Sequence, residues 1–444
     1  MKHSARIGIL LGLFCLFTAA PARGAEPSAP RQYTFTMGEA VAHAMEANPR
    51  LEARLRAVEQ AKMQIGVAQS YFWPTGSFFY QNTNQENDGG MGSQDDASSR
   101  SHSNGIRLGL NLFSGFSHLN NLEQSRLTKD VESARHLSAR QELIANVQLQ
   151  FLQLLKLRED KNTLADARKR VEAQLAAAKA FVRVEMAPKL NVLQNEVELA
   201  RLVQQEITTA NDIRNTEVQL NHYLGLPPDQ PVAYVGSLRD FSAVQDISEE
   251  DALNMAIRQR PDAIVALKSI AVAERQSLVT AGKFLPTVSV SYDKSYYSRN
   301  YDSMMYKDYS RHYSTIGLSF NWPFFEGGGT SFQLLADRKR IAALRKEYED
   351  TMSAIRTEVL RNMMDIDAAR ELVAASRKAV EAATEAYKMS ETRYNTHIGT
   401  VIDLLDTQAK LTQAEGDHSQ ALTSFHSARA KFFYSIGMER PSLQ

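Results

Sequence analysis

The chain has 444 residues with 51 basic and 51 acidic side chains, so it presents no basic excess to nucleic acid. Its one cysteine, Cys15, falls in the first twenty-two residues, which leaves the remainder without disulfides. No run of about 18 apolar residues follows residue 22, which excludes membrane-spanning helices but not a β-barrel, whose signal per strand is weak.

Residues 1–22 read as a secretory signal: Lys2 and Arg6 precede an apolar run from Ile7 to Ala20, and small residues Ala20 and Ala22 flank Pro21. Phe14 before Cys15 is bulky where a lipoprotein signal requires a small residue, so no lipid anchor is expected. Without Lys2 and Arg6 the mature chain keeps 49 basic against 51 acidic side chains.

The rest repeats itself at an offset of 212 positions, and is read as one unit used twice. Pro74 maps to Pro286, Gly105 to Gly317, Phe113 to Phe325 and Gly115 to Gly327. The first unit covers 23–225. Thr36 and Glu39 form a capping box that opens a short helix, which Asn48-Pro49 ends and restarts. At Trp73-Pro74 the period changes to two, predicting strands over about 75–87 and 104–113 around a polar loop. Ile106, Leu108, Leu110 and Leu112 then share one face, against Arg107, Gly109 and Asn111 on the other. From Gly115 a proline-free helix runs to Val184, turns at a tip near 185–189 and returns to Gly225.

A linker with three prolines spans 226–247, and the second unit, 248–437, repeats the plan. Ser248 and Asp251 stand where the capping box was, and Arg260-Pro261 where Asn48-Pro49 was. Strands are predicted over about 287–297 and 313–323, with Ile316, Leu318, Phe320 and Trp322 on one face. Tyr296, Tyr297, Tyr301, Tyr306, Tyr309 and Tyr313 suit an interfacial girdle at the loop end, and Phe72, Trp73 and Trp322 the opposite rim. Apolar residues from Ile341 to Tyr387 recur at helical spacing. The proline-free stretch from Gly327 to Tyr394 would be a rod of ~100 Å at ~1.5 Å per residue. The tip near 395–401 precedes a return to Gly437 and a short tail, 438–444. Strands of about ten residues, tilted, match the thickness of an outer membrane. Four strands cannot close a barrel, so more than one copy must share it.

Catalytic and cofactor chemistry find no foothold. The ten histidines lack zinc spacing, the glycine runs lack the Lys-Ser/Thr of a phosphate loop, and no Gly-x-Ser-x-Gly occurs. Neither an enzyme nor a cofactor is expected.

The ordered set "ANP" at Ala47–Pro49, the strand starts "WP" and "LP", "NLFSGF", "WPFFEGG", "RYNTHIGTVIDLLDTQAKL" from Arg393 and the closing "SIGM" resembles the TolC-like outer membrane efflux and secretion channels, over essentially all the mature chain. The resemblance implies a mainly α fold with a small β part. Long helical hairpins would form a periplasmic α-barrel, and each of three chains would give four strands to a twelve-stranded β-barrel in outer membrane lipid. It implies a passive exit duct of a tripartite efflux or type I secretion system in a Gram-negative bacterium, working with a periplasmic adaptor and an inner-membrane RND, ABC or MFS transporter. It places the entrance gate at Tyr394, Asp403 and Asp406, and adaptor contact at the tips: Glu185, Met186, Ala187, Pro188, His397, Gly399 and Thr400. The sequence departs from the family pattern in places. His397 stands where many members have glycine, with Glu185 at the equivalent site of the first repeat, and Gly399 stands where some have a gate-closing arginine. The strands alone leave open an alternative, a soluble periplasmic coiled-coil scaffold with ordinary hairpins.

Overall fold

A computed structural model describes residues 33–85, 99–238, 247–301 and 307–439. The expected signal segment, Tyr306 and the end of the tail lie outside them.

The first repeat contains β1 (Tyr33–Phe35), α1 (Met37–Ala47), α2 (Pro49–Ser70), β2 (Thr75–Gln85), β3 (Ser99–Ser114), α3 (Ser117–Arg183) and α4 (Lys189–Tyr223). After β4 (Val232–Tyr234) the second contains α5 (Glu249–Gln259), α6 (Pro261–Gly282), β5 (Thr287–Tyr301), β6 (Tyr309–Asn321), α7 (Gly329–Asn395) and α8 (Val401–Ser435). Each helix of the second repeat starts and ends 212 positions after its counterpart. The two longest, α3 and α7, have 67 residues each, ~100 Å at ~1.5 Å per residue.

Local chemistry sets the breaks. The Thr36 hydroxyl accepts from the Glu39 N–H, while the Glu39 carboxylate accepts from the Thr36 N–H. Asn48 caps α2 through Leu51 N–H, and its Nδ2 donates to the Tyr223 carbonyl, 2.8 Å away, tying the start of α2 to the end of α4. Arg260 makes the equivalent tie to the Ser435 carbonyl at the end of α8, and also pairs with Asp262 and Glu358.

The long helices serve as a backbone for the shorter ones. α3 packs against α2 and α6 over one part of its length and against α4 and α8 over the other; α7 packs against α5, α6 and α8. α3 accordingly buries 18 residues and α7, of equal length, only 9. The main core lies midway, where Val147, Phe151 and Leu155 of α3 meet Leu220, Tyr234, Ile355 and Phe432. There β1 and β4 pair in parallel, three residues each, and bring the linker against the middle of α3. Neither strand was predicted, because three residues are too short to show a period.

The four longer strands form one antiparallel sheet in the order β2-β3-β5-β6. β3 and β6 begin several residues before their predicted starts. Ser99–Asn104 carries no apolar alternation, yet both its neighbours, β2 and β5, supply ladder partners. No helix among the described residues is long and apolar enough to cross a membrane.

Candidate functional site

Opposed residues in an antiparallel ladder point to the same side, so the register sorts the sheet into two faces. One carries Phe78 and Tyr80 from β2, Ile106, Leu108 and Leu110 from β3, Val288, Val290 and Tyr292 from β5, and Ile316, Leu318 and Phe320 from β6. The residues of β2 and β6 on this face, with Ile106 and Leu108, are 45–79% exposed and Tyr292 is 37% exposed, while Leu110, Val288 and Val290 are half-buried. The predicted apolar row therefore stands together. Its lower end departs from strict alternation. A β-bulge between Asn111 and Phe113 sets Leu112 and Phe113 against Val288, so Phe113 joins the row although alternation assigns it to the other face. Trp322 lies just past β6, where its Nε1 donates to the Phe284 carbonyl.

The opposite face is polar: Ser, Thr, Gln and Gly residues surround an Arg107–Asp293 pair at 2.5 Å, with the guanidinium over the Phe79 ring. Arg299 donates to the Ser99 hydroxyl and the Gln85 amide oxygen. The expected tyrosine girdle is corrected here. Tyr296 is on the apolar side with His312, whereas Tyr297, Tyr309 and Tyr313 are on the polar side. Adjacent residues of a strand face opposite ways, so Tyr296 and Tyr297 cannot share one belt.

At the far end of the rods both hairpins turn through the same Schellman motif. Met186 N–H reaches the Phe181 carbonyl and Glu185 N–H that of Val182; Ile398 reaches Arg393, and His397 reaches Tyr394. The residue after each helix cap must be left-handed, and Glu185 (φ 58°) and His397 (φ 59°) occupy that place. This is why glycine is the usual occupant. His397 compensates by packing its ring on Phe181, centroids 4.7 Å apart.

Tyr394 is buried at 6% in a cluster with Tyr387, Val401, Leu404 and Leu411, and its ring meets Phe181 edge-on. Burial raises its phenol pKa, and the Asn191 amide acts in the opposite direction. Two turns away, Gln174 donates to the Tyr387 hydroxyl, which donates to Glu391, and Arg170 pairs with Glu415 at 3.1 Å. These bonds fasten the second hairpin to α3 of the first repeat. Arg170, Gln174, Phe181 and Tyr387 were not among the predicted site residues; the seven-residue spacing of Tyr387 and Tyr394 was the available signal.

Asp403 and Asp406 lie apart from that cluster, on the exposed side of α8. Asp403 completes a capping box with Thr400, its carboxylate 2.8 Å from the hydroxyl. Asp406 takes a hydrogen bond from Lys410 at 2.7 Å. Gly399 packs against the Arg393 backbone. Pro188, which matches Thr400, leads into α4 without a side-chain cap. Beside the tips, Leu190, Leu193 and Val197 of α4 and Ile402 and Leu405 of α8 line an apolar groove of about 500 Å³.

Comparison with known proteins agrees with this layout. The family model "Outer membrane efflux protein" matches residues 40–226 and 252–437, one match per repeat. The outer membrane efflux protein BepC of Brucella suis is 23% identical over 328 residues, covering 70% of this chain and 68% of BepC. The pyoverdine export outer membrane protein OpmQ of Pseudomonas putida is 22% identical over 332 residues, 72% of this chain and 66% of OpmQ. The CmeC outer membrane channel of Campylobacter jejuni has the same fold, with a TM-score of 0.79 at 16% identity over 90% of this chain and 85% of that one. The chain belongs to the outer membrane efflux protein family, whose members here are proteins of the Gram-negative outer membrane.

Proposed function

We propose that three copies of this chain form the exit duct of a tripartite efflux or type I secretion system, passing substrates from an inner-membrane RND, ABC or MFS transporter through the periplasm and outer membrane. Each copy gives four strands to a twelve-stranded barrel, with the apolar row against lipid and the polar face around the lumen. The ~100 Å helices form a hollow cylinder whose tips carry the gate and receive a periplasmic adaptor in the apolar groove. The duct itself has no chemical step; the transporter supplies the energy.

One observation supports this most. Among the described residues, a four-stranded sheet with two open edges presents a largely apolar face, with Lys294 opposite Ile106, and most of its large side chains are exposed. In water that face is a liability, and its open edges invite pairing. A soluble scaffold would need something to cover both. In lipid, closure with copies of the same sheet satisfies the edges and the apolar row together.

The test is a charge at mid-depth. Leu108→Arg and Leu318→Arg each place arginine on the lipid side, at a cost of ~2–4 kcal/mol per copy. Both should lose the assembled form from outer membrane extracts, while Ser319→Arg on the polar face should keep it. Normal assembly of both leucine variants would contradict the assignment of that face to lipid.

A further inference from the structure

We infer that β6 of one copy pairs with β2 of the next in a fixed register, Phe320 opposite Tyr80 and Leu318 opposite Asn82, and that this seam extends β6 to Glu326. The inference rests on the duct reading and adds to it which residues of the two copies meet.

The register comes from the repeat. Within the chain, β3 and β5 join one hairpin to the other, with Ile106 opposite Lys294 and Leu108 opposite Tyr292. The hairpins themselves are related by the 212-residue shift: Thr75 faces Gly109 in the first, and Thr287 faces Asn321 in the second. The operation that carries the first repeat onto the second carries the second onto the first repeat of the neighbouring copy. β3 then becomes β6, and β5 becomes the neighbour's β2. Ile106 opposite Lys294 becomes Leu318 opposite Asn82, and Leu108 opposite Tyr292 becomes Phe320 opposite Tyr80.

Two features unexplained in the single chain follow from this pairing. The first is a glycine. A Cβ on Gly105 would lie 2.4 Å from the Lys294 carbonyl oxygen, so β3 and β5 approach closely only because residue 105 has no side chain. Its counterpart Gly317 meets only the Ser291 hydroxyl, at 3.0 Å, a side chain that turns aside. In the seam Gly317 takes the place of Gly105, against the backbone of Asn82 and Thr83 of the neighbouring copy.

The second is the length of β6. β3 runs to Ser114 because β5 pairs with it beyond the bulge, but β6 stops at Asn321, seven positions before Gly328. Phe324 and Phe325 are left 85% and 81% exposed. Under the shift, Phe324 corresponds to Leu112 and Phe325 to Phe113, the two residues of the bulge, and Glu326 to Ser114. With a neighbour present the strand continues, Trp322 faces Phe78, and Phe325 packs over Gly76. Pro323 then takes the place of Asn111, the residue immediately before the bulge.

The test uses paired cysteines in the full chain, oxidised in outer membranes. Leu318→Cys is combined in turn with Tyr80→Cys, Asn82→Cys or Asn84→Cys, and Ser319→Cys with Phe79→Cys, Gln81→Cys or Thr83→Cys. The 318/82 and 319/81 pairs should give covalent oligomers in severalfold higher yield than the others. The highest yield at a pair two residues away, or equal yields throughout, would overturn the register while leaving the duct standing. Reduced samples are sized in parallel in mild detergent. An unsubstituted chain that runs there as a monomer would contradict the duct reading itself. The polar-face series decides the register if the apolar-face series fails to assemble.

Discussion

His426 sits in the equatorial core, 3% exposed, with its Nε2 donating to the Leu238 carbonyl of the linker. Burial, reinforced by the nearby Arg429 charge and opposed by that hydrogen bond, pushes its pKa down from 6.5 to about 4. The unfolded chain therefore binds the proton more readily. The stability that neutral His426 contributes is complete above pH 6.5 and is lost as pH falls towards 4. Between pH 7 and 5 the loss should be ~2 kcal/mol, and His426→Gln should flatten that part of the stability profile. An unchanged slope in the variant, measured by denaturant unfolding, would remove the histidine from the account. At this scale sequence reading is uneven. Asn48 was legible as a punctuation mark, because proline after a cap residue has one plain meaning. The deep burial of His426 was not, since it depends on where the linker lies. The tyrosines of β5 and β6 were misread by grouping composition without applying the two-residue period.

The elements themselves were largely legible. Prolines at 49 and 261, glycines at 225 and 437 and an uninterrupted helical period locate eight helices, and a change of period locates the sheet. What escaped was set by neighbours rather than by the segment: β1 and β4, the early starts of β3 and β6, and the bulge that carries Phe113 onto the apolar face. The start of α8 shows both levels together. The resemblance singles out Asp403 and Asp406 as gate residues; in the folded chain each has a local partner, Thr400 and Lys410. Exposed pairs of this kind are worth only ~0.2–1 kcal/mol, so neither local contact holds its carboxylate tightly. Three copies would ring the entrance with them. We predict that Asp403→Asn with Asp406→Asn lowers the preference for cations over anions in planar-bilayer recordings severalfold. Unaltered selectivity would leave the two carboxylates with only their helix-capping and pairing roles.

For the molecule as a whole, the single chain is an unfinished object. Among the described residues the sheet has two open edges, and α7 buries half as many residues as its twin α3. Phe332, Met364 and Met389 of α7 stand more than 60% exposed, as do Met63 of α2 and Ile207 of α4. Within the chain α3 has short helices on both flanks. In the proposed assembly α7 would gain the same complement from α2 and α4 of a neighbouring copy closing on its free side, repeating around a ring the packing seen within the chain. Closure of the sheet and closure of the helical wall are then one event. The most direct measurement is the mass of the protein extracted from the outer membrane in mild detergent and followed by sedimentation. The account predicts one species containing three chains; a water-soluble particle of one chain would contradict it.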